Sequence, residues 1–203
     1  MLTRRQLIAG IGSAFISAGV VSSAAAFSAT SSAASASFTV VYPDLIELRA
    51  ANDPPVHVET TDGGRVTAIT PGGEEEGVNQ HAITRFEDII EVVNAGTMDL
   101  DGIYFAFEAE SDTLGSEVLS DIEAALAVTA GSEPLDGSGE SSDDLLAVSP
   151  HPNVADGVLS PGESIPFGIR VDLVPEHGTS QLSDLPDRDY EVTLRVTVNT
   201  RKE

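Results

Sequence analysis

AITRFEDIIEVVNAGTMDLDGIYFAFEAE, residues Ala82 to Glu110, holds two β-like runs separated by a turn. In the first, Ile83 and Arg85 alternate with Thr84 and Phe86 up to Glu87-Asp88. Ile89-Ile90-Glu91-Val92-Val93 then follows, and a strict period of two cannot be carried across that join without an irregularity such as a bulge. Asn94-Ala95-Gly96-Thr97 supplies turn chemistry, because Asn and Gly both tolerate positive φ. In the second run Ile103, Phe105 and Phe107 share one face, and Tyr104, Ala106 and Glu108 the other. The stretch therefore reads as the central hairpin of a β-sandwich, and its three phenylalanines place a core there.

Alternation recurs on both sides of it. Ser37-Phe-Thr-Val-Val-Tyr-Pro puts Phe38, Val40 and Tyr42 on one face, and Leu45-Ile46-Glu47-Leu48 follows. Pro43 sets these strands at an edge or a bend. Val56 to Thr60 and Arg65 to Thr70 flank Asp62-Gly63-Gly64 as a hairpin. Ser116 to Ala130 carries an i, i+3/i+4 stripe at Val118, Leu119, Ile122, Ala125 and Leu126, which predicts a short helix or irregular crossover and then a strand. Gly131 to Asp144 is rich in Gly, Ser, Asp and Glu and reads as a disordered acidic loop, continued by Ser149-Pro-His-Pro-Asn. Phe167, Ile169, Val171 and Leu173 alternate with Gly168, Arg170 and Asp172. At the C-terminal end Tyr190, Val192, Leu194, Val196 and Val198 alternate with Glu191, Thr193, Arg195 and Thr197, with one face buried and one wet. About seven to nine strands at short spacing, without a βαβ rhythm, predict an all-β chain, an antiparallel β-sandwich of jelly-roll or immunoglobulin-like type.

Across 203 residues there are 33 acidic side chains against 10 basic ones, a formal charge of −23, and Lys202 is the single lysine. Long apolar-patterned segments between the acids argue for a folded protein with a carboxylate-covered surface rather than a disordered chain. Such a surface stays hydrated where molar salt shortens the Debye length to about 3 Å. The same charge excludes nucleic acid as a partner, since that requires a basic footprint, and opposes docking on anionic lipid. With no cysteine, there is no disulfide, catalytic thiol or thiolate metal site.

Arg4-Arg5 precedes an uncharged run from Leu7 to Ala26 that ends in Ser22-Ser23-Ala24-Ala25-Ala26. A basic start, an apolar middle and a small-residue end are the parts of a secretory signal peptide, and the paired arginines resemble the twin-arginine export signal. Cleavage is expected after Ala26. The alternative is an uncleaved N-terminal membrane anchor, since twenty residues would span a bilayer; otherwise the membrane is met only through the signal segment before cleavage. The expected organisation is a signal helix over 1–26, a flexible Ala/Ser/Thr leader over 27–37, and a sandwich domain over 38–203 with a loop insertion at about 131–157.

Asn79 with Ala82 to Gly96, then Leu159-Ser-Pro-Gly-Glu-Ser, then Asp189 to Val198, standing behind an arginine-led signal, resemble the exported haloarchaeal proteins of the DUF1102 type. These are related to the TasA and camelysin group of fibre-forming jelly-roll proteins. The resemblance implies a homopolymer assembled by a donated strand, here the segment Ser37 to Tyr42 filling a gap in a neighbouring sheet. The other option is that this strand pairs within its own domain. The chain departs from the pattern in its acidic insertion and in Pro43, which breaks the N-terminal strand early.

Chemistry-bearing patterns are sparse. His57, His81, His151 and His177 lie far apart, in or beside turns, without the spacing of a zinc site. No nucleophile elbow, phosphate loop or dinucleotide glycine pattern is present. Asp184, Asp187 and Asp189 form the best candidate for Ca²⁺; Glu74-Glu75-Glu76 and Asp143-Asp144 read as solvated surface. No catalytic residue and no cofactor is expected. The sequence points to an exported, non-enzymatic structural protein, secreted or at the cell surface, with a monomeric immunoglobulin-like binding or accessory module as the alternative.

Overall fold

The structure is a computed structural model and describes residues 38–52, 55–71, 78–135, 143–148, 157–175, 180–186 and 190–201. The chain runs through β1 (Phe38–Val41), β2 (Ile46–Ala50), β3 (Val58–Thr60), β4 (Val66–Ile69), β5 (Ile83–Asn94), β6 (Leu100–Glu110), α1 (Ser116–Ala124), β7 (Leu126–Ala130), β8 (Glu133–Pro134), α2 (Leu145–Val148), β9 (Ser164–Asp172) and β10 (Glu191–Thr200). Two five-stranded sheets result, ordered β3-β4-β1-β10-β6 and β2-β5-β9-β7-β8. Every pairing among these strands is antiparallel except that of β1 with β10. The fold is an all-β sandwich.

Alternation places the core where the sequence expects it. Phe167, Ile169 and Val171 of β9 and Val192, Leu194 and Val196 of β10 are buried between the sheets, as a sheet with one wet face requires. The rings of Phe105 and Phe167 meet across the two layers with centroids 4.8 Å apart. Helix α1 forms where the i, i+3/i+4 stripe predicts it and buries Ile122.

The central segment is not a hairpin. β5 belongs to one sheet and β6 to the other, so residues 94–100 form a corner between layers. Alternation sets which face of a strand is buried but not which neighbour it pairs with, and here the corner residue decides. Asn94 is 1% exposed. Its Nδ2 donates to the carbonyls of Met98 at 2.9 Å and Leu159 at 2.8 Å, and its Oδ1 accepts the Gly96 N–H at 3.0 Å. Its backbone donates to Glu163 O and accepts from Gly162 N. Neither Asn94 nor Gly96 has positive φ; the asparagine acts through its amide rather than through a left-handed backbone.

The break in period at Glu87-Asp88 is a bulge. Phe86 pairs with Ile169 and Ile90 with Phe167, leaving Glu87, Asp88 and Ile89 opposite Gly168 alone. Asp88 takes φ of 50° to make the bend. The bulge folds so closely over β9 that a Cβ on Gly168 would lie 2.4 Å from Phe86 O and 2.6 Å from Thr129 Oγ1. Only glycine fits there.

Pro43 marks the expected bend, in which Ile46 N–H donates to Pro43 O at 3.2 Å; β2 after it is the edge of its sheet, and β1 before it is interior to the other. The reading of the acidic insertion is corrected. The acidic segment is not wholly a loop: Glu133–Pro134 pairs with β7, and residues 143–148 are folded against the core, with Leu145 and Leu146 buried. Asp143 and Asp144, expected as solvated surface, are 2% and 7% exposed. Residues 136–142 and 149–156 of the expected insertion lie outside the described residues.

The corner makes a specific demand. Asn94→Ala removes all three of these amide hydrogen bonds from a buried corner, although the Leu159 carbonyl keeps the Leu100 N–H, and equilibrium unfolding should register a loss of about 1–3 kcal/mol. Asn94→Asp should be at least as damaging, because it sets a carboxylate against two carbonyl oxygens.

Candidate assembly site at the N-terminal strand

The strand expected to be donated occupies the middle of its own sheet. β1 runs parallel to β10, with Phe38 to Val41 in register with Val192 to Arg195, and antiparallel to β4, with Phe38 opposite Ile69 and Thr39 opposite Ala68. Its side chains alternate as a half-buried strand should: Phe38 is 1% and Val40 8% exposed, while Thr39 and Val41 face solvent. The Phe38 ring meets Phe107 of β6 edge-on, with centroids 6.0 Å apart. Neither β3 nor β4 pairs with β10 or β6, so these four residues are the link that joins the β3–β4 hairpin to the rest of the sheet.

β1 is held at its C-terminal end by the Pro43 bend, which passes the chain into β2 of the opposite sheet. There Arg49 forms a bridge with Arg65, the residue before β4, closing that side of the sandwich. Glu47 sits between the two arginines, 2.8 Å from Arg49 and 3.5 Å from Arg65. Its carboxyl is held below the usual range chiefly by the Arg49 hydrogen bond. Ser37, the first residue of the expected donor segment, lies outside the described residues, as do Arg4, Arg5 and Ala26 of the export signal.

The calcium candidate is only partly in view. The Asp184 carboxylate accepts a hydrogen bond from Gln80 Nε2; Asp187 and Asp189 lie outside the described residues. Among the described residues no three His, Asp or Glu side chains are grouped so that they could hold a metal. His57 and His81 both sit at turn positions with positive φ, of 63° and 52°, and the His57 ring packs against Phe86; His151 and His177 are outside the described residues. An open cleft of about 800 Å³ is lined by Glu110, Ser111, Asp112, Thr113, Tyr190 and Glu191. Burial, and secondarily the charge of Asp184, pushes the Tyr190 hydroxyl above its ordinary range.

Asp144 is the ionisable group that sequence reasoning missed. Its Oδ1 accepts the N–H of Ile103 on β6 at 2.9 Å and that of Leu146 in α2 at 3.0 Å, and its carbonyl accepts from Ala147 and Val148. It thus caps the start of α2 and the side of β6 at once. An aspartate directly before Leu145-Leu146 is the signal that could have found it. Burial pushes its carboxyl above the ordinary range, against the two N–H bonds that favour the charged form; nearby Asp101 pushes the same way as burial.

A carboxyl raised on folding binds its proton more tightly in the native state than in the unfolded one. Its contribution is therefore most favourable below the ordinary aspartate range and is lost as pH rises through the raised value. Asp144→Asn keeps the Oδ1 acceptor without the charge. In urea titrations it should match or exceed wild type at pH 7 and lose this part of the pH dependence, whereas Asp144→Ala should cost about 3 kcal/mol. An asparagine variant as unstable as the alanine variant would contradict this assignment. Compared with protein-family models, curated proteins and solved structures, the chain matches none.

Proposed function

We propose that this is an exported, non-enzymatic structural protein of the cell surface that assembles into fibres by passing β1 to a neighbouring copy. The observation that carries this reading is the position of β1. It is the first strand after the leader expected over 27–37, it is short, and it lies between two strands that both bond to it. Withdrawing it would open one edge on β4 and one on β10 and empty the places filled by Phe38 and Val40. A slot of that kind takes an identical strand from another chain with main-chain hydrogen bonds for affinity and two apolar anchors for register. The exchange needs only the turn 42–45 to straighten.

Other features agree. The Arg4-Arg5 signal with its end at Ala26 would deliver a folded chain outside the cell and free the arm. Consecutive strands that pass between sheets, as β1 to β2 and β5 to β6 do, agree with a jelly-roll, the fold of the group the sequence resembles. The acidic surface suits a protein working in concentrated salt, where carboxylate repulsion between subunits is screened over about 3 Å. Calcium held by Asp184, Asp187 and Asp189 belongs to the same reading as an accessory ion, not a catalytic one.

One observation favours the alternative of a monomeric binding or accessory module: β1 already fills the slot of its own domain. Size exclusion and negative-stain microscopy of the mature chain in molar salt separate the two, with and without residues 27–42. Fibres from the intact form, none from the truncated form, and recovery of a compact monomer when a 37–42 peptide is added to the truncated form are the expected outcomes. An intact chain that stays monomeric at every concentration overturns assembly, and a truncated chain that assembles equally well overturns the donated strand.

A further inference from the structure

β6 ends its sheet, so one side of an eleven-residue strand faces away from β10. Its Ile103 N–H reaches Asp144 Oδ1 at 2.9 Å, and its Ala109 N–H reaches Glu123 Oε1 in α1 at 2.9 Å. Both amides point outward, and in an antiparallel pair inward and outward residues alternate. The N–H and C=O groups of Phe105 and Phe107 therefore point outward too. No described residue receives either of these N–H groups. Among the described residues the edge is thus a run of about 20 Å whose two middle N–H groups have no acceptor, with a carboxylate on the amide at each end.

An exposed strand edge of this length is a template for pairing with another chain. This one is also self-complementary. A two-fold axis through Ala106 would set Phe105 opposite Phe107 of a second copy in both directions and exchange their outward hydrogen bonds, with the two Ala106 residues facing each other. A strand arriving there has to remove the carboxylates first, since each occupies an amide that the new ladder needs.

We infer that Glu123 and Asp144 are latches that close the β6 edge against pairing with β6 of a second copy. The side chains come from two separate elements, α1 and the residue that starts α2, and both carry an acceptor but no donor when ionised. They satisfy the edge amides and so occupy the donors that an approaching strand would need. This edge is distinct from the β1 slot, so the latches hold whether or not the chain forms fibres through β1.

The natural absence of cysteine allows a direct test in the full mature chain. Ala106 is exposed on β6, and in the two-fold pairing the Cα atoms of facing residues at a non-hydrogen-bonded position lie about 4.5 Å apart, within the range a disulfide spans. Under mild oxidation Ala106→Cys with Glu123→Ala should give covalent dimers, while Ala106→Cys alone and Ala106→Cys with Glu123→Gln, which keeps an acceptor oxygen, should stay uncrosslinked. Hydrogen exchange should show the Ala109 amide released by about tenfold or more in the alanine variant. If Glu123→Ala does not fold, Asp144→Ala in the same background frees the other end and carries the same expectation. Equal crosslinking in the Ala and Gln variants of a folded protein, or ready crosslinking of Ala106→Cys alone, overturns the inference.

Discussion

Four residues hold one of the two sheets together. Without β1, the sheet β3-β4-β1-β10-β6 would separate into a short hairpin and a two-stranded ribbon, and two-stranded ribbons are marginal in water. Phe38 and Val40 contribute the apolar burial that fixes β1 there, with Phe38 worth about 1.5–3 kcal/mol as a fully buried side chain. The strand is also one of the few elements whose neighbours lie at opposite ends of the chain, β4 close by in sequence and β10 at the C-terminus. The first described strand and the last are therefore folded as a parallel pair. Both the integrity of the sandwich and the proposed assembly depend on which chain supplies that strand.

What the sequence made legible were faces and interruptions. The alternation in Phe167 to Leu173 and in Tyr190 to Val198 identifies core and solvent sides because a strand repeats every two residues. The failure of that repeat at Glu87-Asp88 locates the bulge over Gly168. Partnership was not legible. Nothing in the alternation of 83–94 and 100–110 distinguishes two strands that pair from two that face each other across a core, and a buried Asn94 amide settles it. The place of β1 depends on pairing with residues 192–195, which no local pattern reveals. The alternation in Ser37 to Tyr42 predicts a strand, and Phe38–Val41 is one, while its interior, parallel setting was outside what the sequence could express.

Charge shows the same division. An excess of 23 negative charges suggests carboxylates everywhere at the surface, and composition averages over exceptions such as Asp144, buried beside Leu145 and Leu146. There a carboxylate does the work of a backbone acceptor, capping α2 and an amide of β6. Glu123 does the same at the other end of β6. In a protein this acidic, a carboxylate at an open strand edge both completes the hydrogen bonding of that edge and adds to the repulsion between copies.

The identity of the chain that fills the slot between β4 and β10 is read most directly by a disulfide. Thr39 and Thr193 face each other in the parallel register of β1 and β10, and the chain has no competing thiol. With both residues changed to cysteine, fibres grown in molar salt and run without reductant should give a ladder of covalent multimers, since each bond would join one subunit's β1 to the next subunit's β10. Fibres whose disulfides all lie within single chains would contradict the account, and would place the contacts between subunits elsewhere on the molecule.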